Sequence, residues 1–270
     1  MKKLIAFILT AALALTALAS CGTDYSKLEI IDIGEETEYF GIAFREGSDM
    51  TRKVEDITAE LIAEGLFDDL SEKYEVGAVD AEEYIPSANA YTGSGDWDYI
   101  RGKGTLVIGI TDYAPMDYKE NGEWVGFDAD YARAVCEKLG VTAEFKEIVW
   151  SKKTLELEAK AIDCIWNGMT ISDEVQAAAD CTIPYMYNKQ VAVVKKTNAS
   201  LYTNSLDSFA GKTIAVEGGS AGASVVSANA ATAAGLKEVE GQTDALLEVL
   251  SGASDAAVVD LLLAKALIKK

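Results

Sequence analysis

Gly104-Thr-Leu-Val-Ile-Gly-Ile110, followed by the amphipathic stretch 128–139, decides the fold class. The first is a short apolar run bounded by glycine, which reads as a buried strand. In the second, Tyr131, Ala132, Val135 and Leu139 recur at helical spacing and Gly140 stops the run. Working outward, strand-like runs lie at 141–149, 162–165, 190–195, 212–216 and 255–259. Helical runs alternate with them at 153–160, 173–179, 220–233 and 243–251. That alternation predicts an α/β fold with parallel sheets.

The chain has 270 residues, 49% of them hydrophobic and 25% charged, enough for a real core in one large domain or two small ones. Lys+Arg is 24 against Asp+Glu 44, a net charge of −20. A surface that acidic repels phosphate backbones, and no basic stripe offsets it, so nucleic acid is excluded as a partner. Histidine is absent. That removes the commonest general base and zinc ligand, and no metal or cofactor site is expected.

Residues 1–20 read as an export signal. Lys2 and Lys3 precede the apolar stretch Leu4 to Ala19, which is shorter than the roughly 20 residues a spanning helix needs. It ends in Leu18-Ala19-Ser20-Cys21, similar to a bacterial lipobox, so Cys21 is the expected lipid-bearing residue. Removing the signal deepens the net charge to −22. Cys136, Cys164 and Cys181 remain, an odd number without Cys-x-x-Cys spacing. They read as small buried hydrophobes, with a Cys164–Cys181 bridge as the alternative.

Residues 49–64 keep a coherent apolar face at Val54, Ile57 and Leu61. The helical run Leu261 to Lys270 has no strand after it, whereas the segment after Cys21 leads directly into the strand-like Leu28-Glu-Ile-Ile-Asp32. Written in succession, Leu267-Ile-Lys-Lys270 and Gly22-Thr-Asp make a proper helix end, with lysines in the last turn and glycine after it. Residues 77–97 lack periodicity and read as a linker. A flexible chain of 20 residues spans about 25 Å.

Several motifs resemble the amino-acid-binding proteins of bacterial ABC importers. They are Gly104-Thr-Leu-Val-Ile-Gly-Ile-Thr-Asp-Tyr-Ala-Pro-Met116, Val125-Gly-Phe-Asp-Ala-Asp130 and Ile162-Asp-Cys-Ile-Trp-Asn-Gly-Met-Thr-Ile171, with Gly211-Lys-Thr-Ile-Ala-Val216 and Ser254-Asp-Ala-Ala-Val-Val-Asp260. The resemblance covers about 98–270 and 24–76. It implies a two-lobed type II periplasmic-binding-protein fold with a ligand cleft between lobes, here in circularly permuted order. It also implies a strand over Tyr39-Phe-Gly-Ile-Ala-Phe-Arg-Glu-Gly-Ser48 followed by helices 49–64 and 66–74. Lobe 2 would be 22–38 plus 196–270 and lobe 1 would be 43–76 plus 98–190, hinged near 190–195 and 39–44.

The function so implied is non-enzymatic. A monomeric, lipid-anchored protein on the outer face of the cell membrane would capture a small polar ligand, an amino acid above all, and deliver it to an ABC permease. The alternatives are an enzyme on the same fold, dehydratase-like, and a sensory binding protein.

An amino acid brings an ammonium and a carboxylate, and burying either demands a partner. By resemblance Asp260 takes the ammonium, although its position also suits a helix N-cap. Gly218 and Ser220, in the turn Glu217-Gly-Gly-Ser-Ala-Gly222, and Gly168 and Thr170 match the carboxylate donors. Tyr113 and Trp166 match cleft walls, with Trp150 as a further candidate, and Asn167 and Asp112 are candidate polar readers. Val175 stands where the family places a carboxylate-clamping arginine. Either Lys153 supplies that charge, or the amides suffice, or the ligand lacks a free α-carboxylate.

Overall fold

The computed structural model describes residues 23–80, 82–86 and 95–268. The export signal and Cys21 lie outside the described residues. The chain opens with β1 (Leu28–Asp32) and β2 (Glu38–Phe44), then a helical pair, α1 (Met50–Ala63) and α2 (Leu66–Tyr74). A third helix, α3 (Asp96–Lys103), leads into β3 (Thr105–Ile110). Next come the hairpin β4 (Tyr118–Glu120) and β5 (Glu123–Val125), α4 (Phe127–Leu139) and β6 (Thr142–Glu147). They are followed by α5 (Lys153–Glu158), β7 (Cys164–Thr170), α6 (Asp173–Gln176) and the short strands β8 (Asp180–Cys181) and β9 (Met186–Asn188). The last third runs β10 (Gln190–Lys195), β11 (Ile214–Glu217), α7 (Ala221–Ala228), β12 (Leu236–Val239), α8 (Gln242–Ser251), β13 (Ala256–Asp260) and α9 (Leu261–Leu267).

These strands form two main sheets. One has the order β6-β3-β7-β2-β8, with β9 also paired to β2, and builds lobe 1. The other, β1-β10-β13-β11-β12, builds lobe 2. In each, parallel strands are joined by helical crossovers, while β2 and β10 run antiparallel to their neighbours. The chain crosses between sheets at 33–37 and at Lys189, so the crossings lie just outside the strands expected to hinge.

Local sequence explains the elements that set the site. Helix α4 buries Phe127, Tyr131, Ala132, Val135 and Cys136 on one face, carries Asp128 and Asp130 in its first turn, and ends at Gly140 with φ +70°. Acidic groups at the start favour the helix dipole, and glycine adopts the left-handed exit without Cβ strain. Its aromatics meet the rest of the lobe 1 core edge-on or stacked: Tyr131 on Trp166 at 4.6 Å, and Phe127 on Tyr185 at 6.3 Å. Such pairs add about 0.5–1.5 kcal/mol beyond the area they bury.

The segment 77–97 does more than link. Val79 donates its N–H to the Tyr185 carbonyl, Tyr84 is buried against lobe 1, and α3 begins within the segment's end. There Asp96 meets the Arg45 guanidinium at 3.1 Å, and Arg45 also approaches buried Asp163, which Lys103 holds at 2.5 Å. Cys164 is a buried thiol in the lobe 1 core, so the Cys164–Cys181 alternative is not the arrangement found. No helix among the described residues is long and apolar enough to cross a membrane.

Candidate functional site

Strands β7, β11 and β13 all end at one cleft between the sheets, where open α/β folds place ligands. The cavity there measures about 180 Å³, well under the roughly 300–1,000 Å³ of pockets for drug-sized molecules. Its floor and roof come from both lobes. The lobes touch at its rim: a Cβ built on Gly219 (φ +73°) would stand 2.7 Å from the Ser151 Cα. Lys153 of lobe 1 bridges to lobe 2 by donating from Nζ to the Gly219 carbonyl at 2.8 Å.

Asp260 ends β13 on the cavity wall, 4% exposed. It sits at the N-cap position of α9, yet its side chain makes no capping bond. Instead Oδ1 accepts from Asn188 Nδ2 at 2.5 Å and Gln190 Nε2 at 2.6 Å, and Oδ2 accepts from Gln242 Nε2. The carboxylate is therefore aimed by three amides. Behind it, Glu38 Oε1 accepts from the same Asn188 and Gln190 groups, at 2.5 and 2.7 Å. A buried carboxyl and a half-buried one sharing donors cannot both ionise cheaply. Burial, then the neighbouring Asp260, pushes Glu38 up to about 8.

The turn after β11 is built differently from what the glycine run predicts. Gly218 donates its N–H to the Val239 carbonyl at 3.0 Å and does not line the cavity, so it is not a ligand donor. Gly168 does line it, with φ +54°, but its N–H is bonded to Asp128 Oδ2 at 2.6 Å. Ser220 lines the cavity and accepts from the Ala223 N–H as the cap of α7, leaving its hydroxyl hydrogen free to aim elsewhere. Thr170 faces the same space.

Of the aromatic candidates, Tyr113 and Trp150 line the cavity. Trp166 does not: it is fully buried, and strand alternation turns it into the lobe 1 core against Tyr131. Asn167 borders the cavity but spends its amide on Thr111, accepting from its N–H and donating to its hydroxyl. Asp112 is exposed and outside the cavity lining. Val175 does line the cavity, 3% exposed, an apolar wall where the resemblance places a cation. Lys153 is the one cationic side chain among the lining residues. Burial lowers its pKa, partly offset by Glu174 and Glu217.

Sequence reading passes over Glu217 and Gln242. Glu217 lines the cavity at 3% exposure, and its Oε1 has no hydrogen-bond partner among the described residues. Burial first, and then Asp260, pushes its carboxyl up to about 8. Its position as the last residue of a buried strand is the signal that could have found it.

A model of the bacterial extracellular solute-binding proteins, family 3, matches residues 106–265. The probable amino-acid-binding protein YxeM of Bacillus subtilis is 32% identical over 180 residues, 66% of this chain and 67% of that protein. The L-cystine-binding protein TcyJ of Escherichia coli K12 is 30% identical over 132 residues, 48% of this chain. That match spans about half the relative's length, 49%. Among solved structures, the arginine-bound form of truncated ArgBP from T. maritima superposes with a TM-score of 0.60 at 33% identity, covering 63% of this chain and 80% of that one. The architecture is the type II periplasmic-binding-protein fold.

Proposed function

The chain belongs to the bacterial extracellular solute-binding proteins of family 3, and from that membership we propose that it captures a small ammonium-bearing ligand, an amino acid above all, and passes it to an ABC permease. The observation that carries this reading is Asp260, a buried carboxylate on the wall of a small interlobe cavity, aimed by three amide groups. A buried anion wants a cation, and an α-ammonium fits. Ser220 and Thr170 supply hydroxyl donors for the ligand's other end, and Tyr113 and Trp150 cover its body. Closure brings Gly219 against Ser151 and traps the ligand.

The chain acts as a monomer in this reading, tethered through lipid on Cys21 at the outer face of the membrane. Its element order is rotated relative to the family. What supports this is that each sheet needs one strand from before the matched segment, β1 in lobe 2 and β2 in lobe 1. The end of α9 also lies beside β1, with Leu28, Ile30, Leu261 and Ile268 lining one groove.

Binding calorimetry with a panel of L-amino acids tests the capture reading. Saturable one-to-one binding is expected, weakened at least 100-fold by Asp260→Ala. An unchanged affinity in a folded variant would sink it. One observation favours a second reading, an enzyme of dehydratase type: Glu217 is a buried carboxyl inside the cleft, and burial pushes it up to about 8, within reach of acid–base work. Product formed during incubation of the bound ligand would decide for that reading.

A further inference from the structure

The cavity is lined by three carboxylates, Glu174, Glu217 and Asp260, against the single cation Lys153. Lys153 is occupied by the Gly219 carbonyl, and among the described residues it forms no ion pair. Glu217 and Asp260 close neighbouring parallel strands: Ile214 and Ala215 of β11 pair with Ala256 and Ala257 of β13. That register sets Glu217 opposite Val259, one residue before Asp260, and both side chains reach the cavity at the strand ends, where each lines it. Asp260 has three amide partners, whereas Glu217 Oε1 has none among the described residues and is shut away from water. Leaving a buried carboxyl oxygen unpartnered costs free energy that a correctly placed donor recovers. Val175, Val225 and Met169 furnish apolar wall and no further charge.

Resting on the capture reading above, we propose that Glu217 is a specificity-determining residue: with Asp260 it selects a ligand carrying two cationic groups joined by a short aliphatic chain. One ammonium sits at Asp260 and the second cationic group at Glu217 Oε1. A neutral amino acid leaves Glu217 unsatisfied, and an acidic one brings a like charge beside Asp260. The selection is electrostatic and follows from the pocket's excess of carboxylates. Two sources share this chemistry, a dibasic amino acid and a diamine without carboxylate.

The groups facing Glu217 are Asp260 on β13, Asp244 on α8 and Lys153 on α5, and its carboxyl is raised by burial and by Asp260. The empty site therefore holds a proton at neutral pH. When the second cation arrives, Glu217 ionises and that proton passes to the solvent, so charge is conserved on both sides of the exchange.

Calorimetry on the chain from residue 22 onward, with L-ornithine, 1,4-diaminobutane, L-glutamine and L-glutamate, tests this. Ornithine or diaminobutane should bind at least 10-fold tighter than glutamine. Ornithine binding tighter than diaminobutane supports a dibasic amino acid as cargo, and the reverse supports a diamine. Glu217→Gln, which keeps shape and removes the charge, should shrink the preference at least 10-fold. Titration in buffers of differing ionisation enthalpy should show close to one proton released per ornithine at pH 7 in the wild type and none in the variant. Glutamine binding as tightly as ornithine, or a preference that survives Glu217→Gln, would overturn the proposal and leave amino-acid capture standing. No binding of any panel member by folded protein would sink both.

Discussion

Glu38 and Asp260 show what a single pair of side chains can impose on this molecule. Their carboxyls share the Asn188 and Gln190 donors, and partial burial beside Asp260 favours keeping a proton on Glu38. Glu38 ionises near its ordinary 4.5 when unfolded but only near 8 when folded. Over that window the folded state holds more protons than the unfolded one, so stability falls as pH rises. Glu217, raised to about 8, and Asp128, raised to about 7 chiefly by burial, act with the same sign. The ligand-free protein should therefore lose stability between about pH 5 and 8, by up to about 1.4 kcal/mol per pH unit for each such group. Denaturant midpoints across that range should show the decline, and Glu38→Gln should flatten it. A midpoint that rises from pH 5 to 8 would show that the pair is not protonated.

At the scale of elements, the end of the segment 77–97 is fastened by charge. Asp163 is fully buried and holds Lys103 of α3 at 2.5 Å, with Arg45 at 3.5 Å and Arg45 in turn on Asp96. Asp163→Ala strands two cations in a site built for an anion, and breaking such a buried pair costs about 3–5 kcal/mol. Chemical denaturation should show a loss of that size. A loss under about 1 kcal/mol would mean that solvent reaches the site.

The elements legible in the sequence are those whose burial matches their local pattern. The apolar runs of β3 and β10 and the amphipathic face of α4 stand where periodicity puts them. Strand β12, Leu-Lys-Glu-Val, is a polar edge strand with no such signature. The hairpin β4–β5 is short, although Asn121-Gly122 between its strands carries the usual turn signal. At the site, the ends of β7, β11 and β13 were readable from the motifs, but not which way each side chain turns. Trp166 and Asn167 follow one another in β7 and face opposite ways, so a motif containing both cannot say which one meets the ligand. Gly168 and Gly218 looked like free donors because only the fold shows that Asp128 and Val239 already accept from them.

For the molecule as a whole, the proposed capture depends on two lobes meeting over a space too small for more than a metabolite-sized guest. Gly219 is where they meet most tightly. A methyl group there would stand 2.7 Å from the Ser151 Cα and would impose a side chain on a left-handed backbone. Within lobe 2 the left-handed strain should cost about 1–2 kcal/mol, whereas the wedge acts on closure. Gly219→Ala should weaken ligand affinity at least 10-fold, while the ligand-free protein loses no more stability than that strain. Unchanged affinity would place the closed interface elsewhere.

The most direct measurement is a crystal structure of the protein grown with the tightest ligand from the calorimetric panel. The account predicts that the ligand lies between the lobes with an ammonium within about 3 Å of an Asp260 carboxylate oxygen, and with Gly219 packed on Ser151. A ligand seated outside the interlobe cavity, or inside it with no cation at Asp260, would contradict the account.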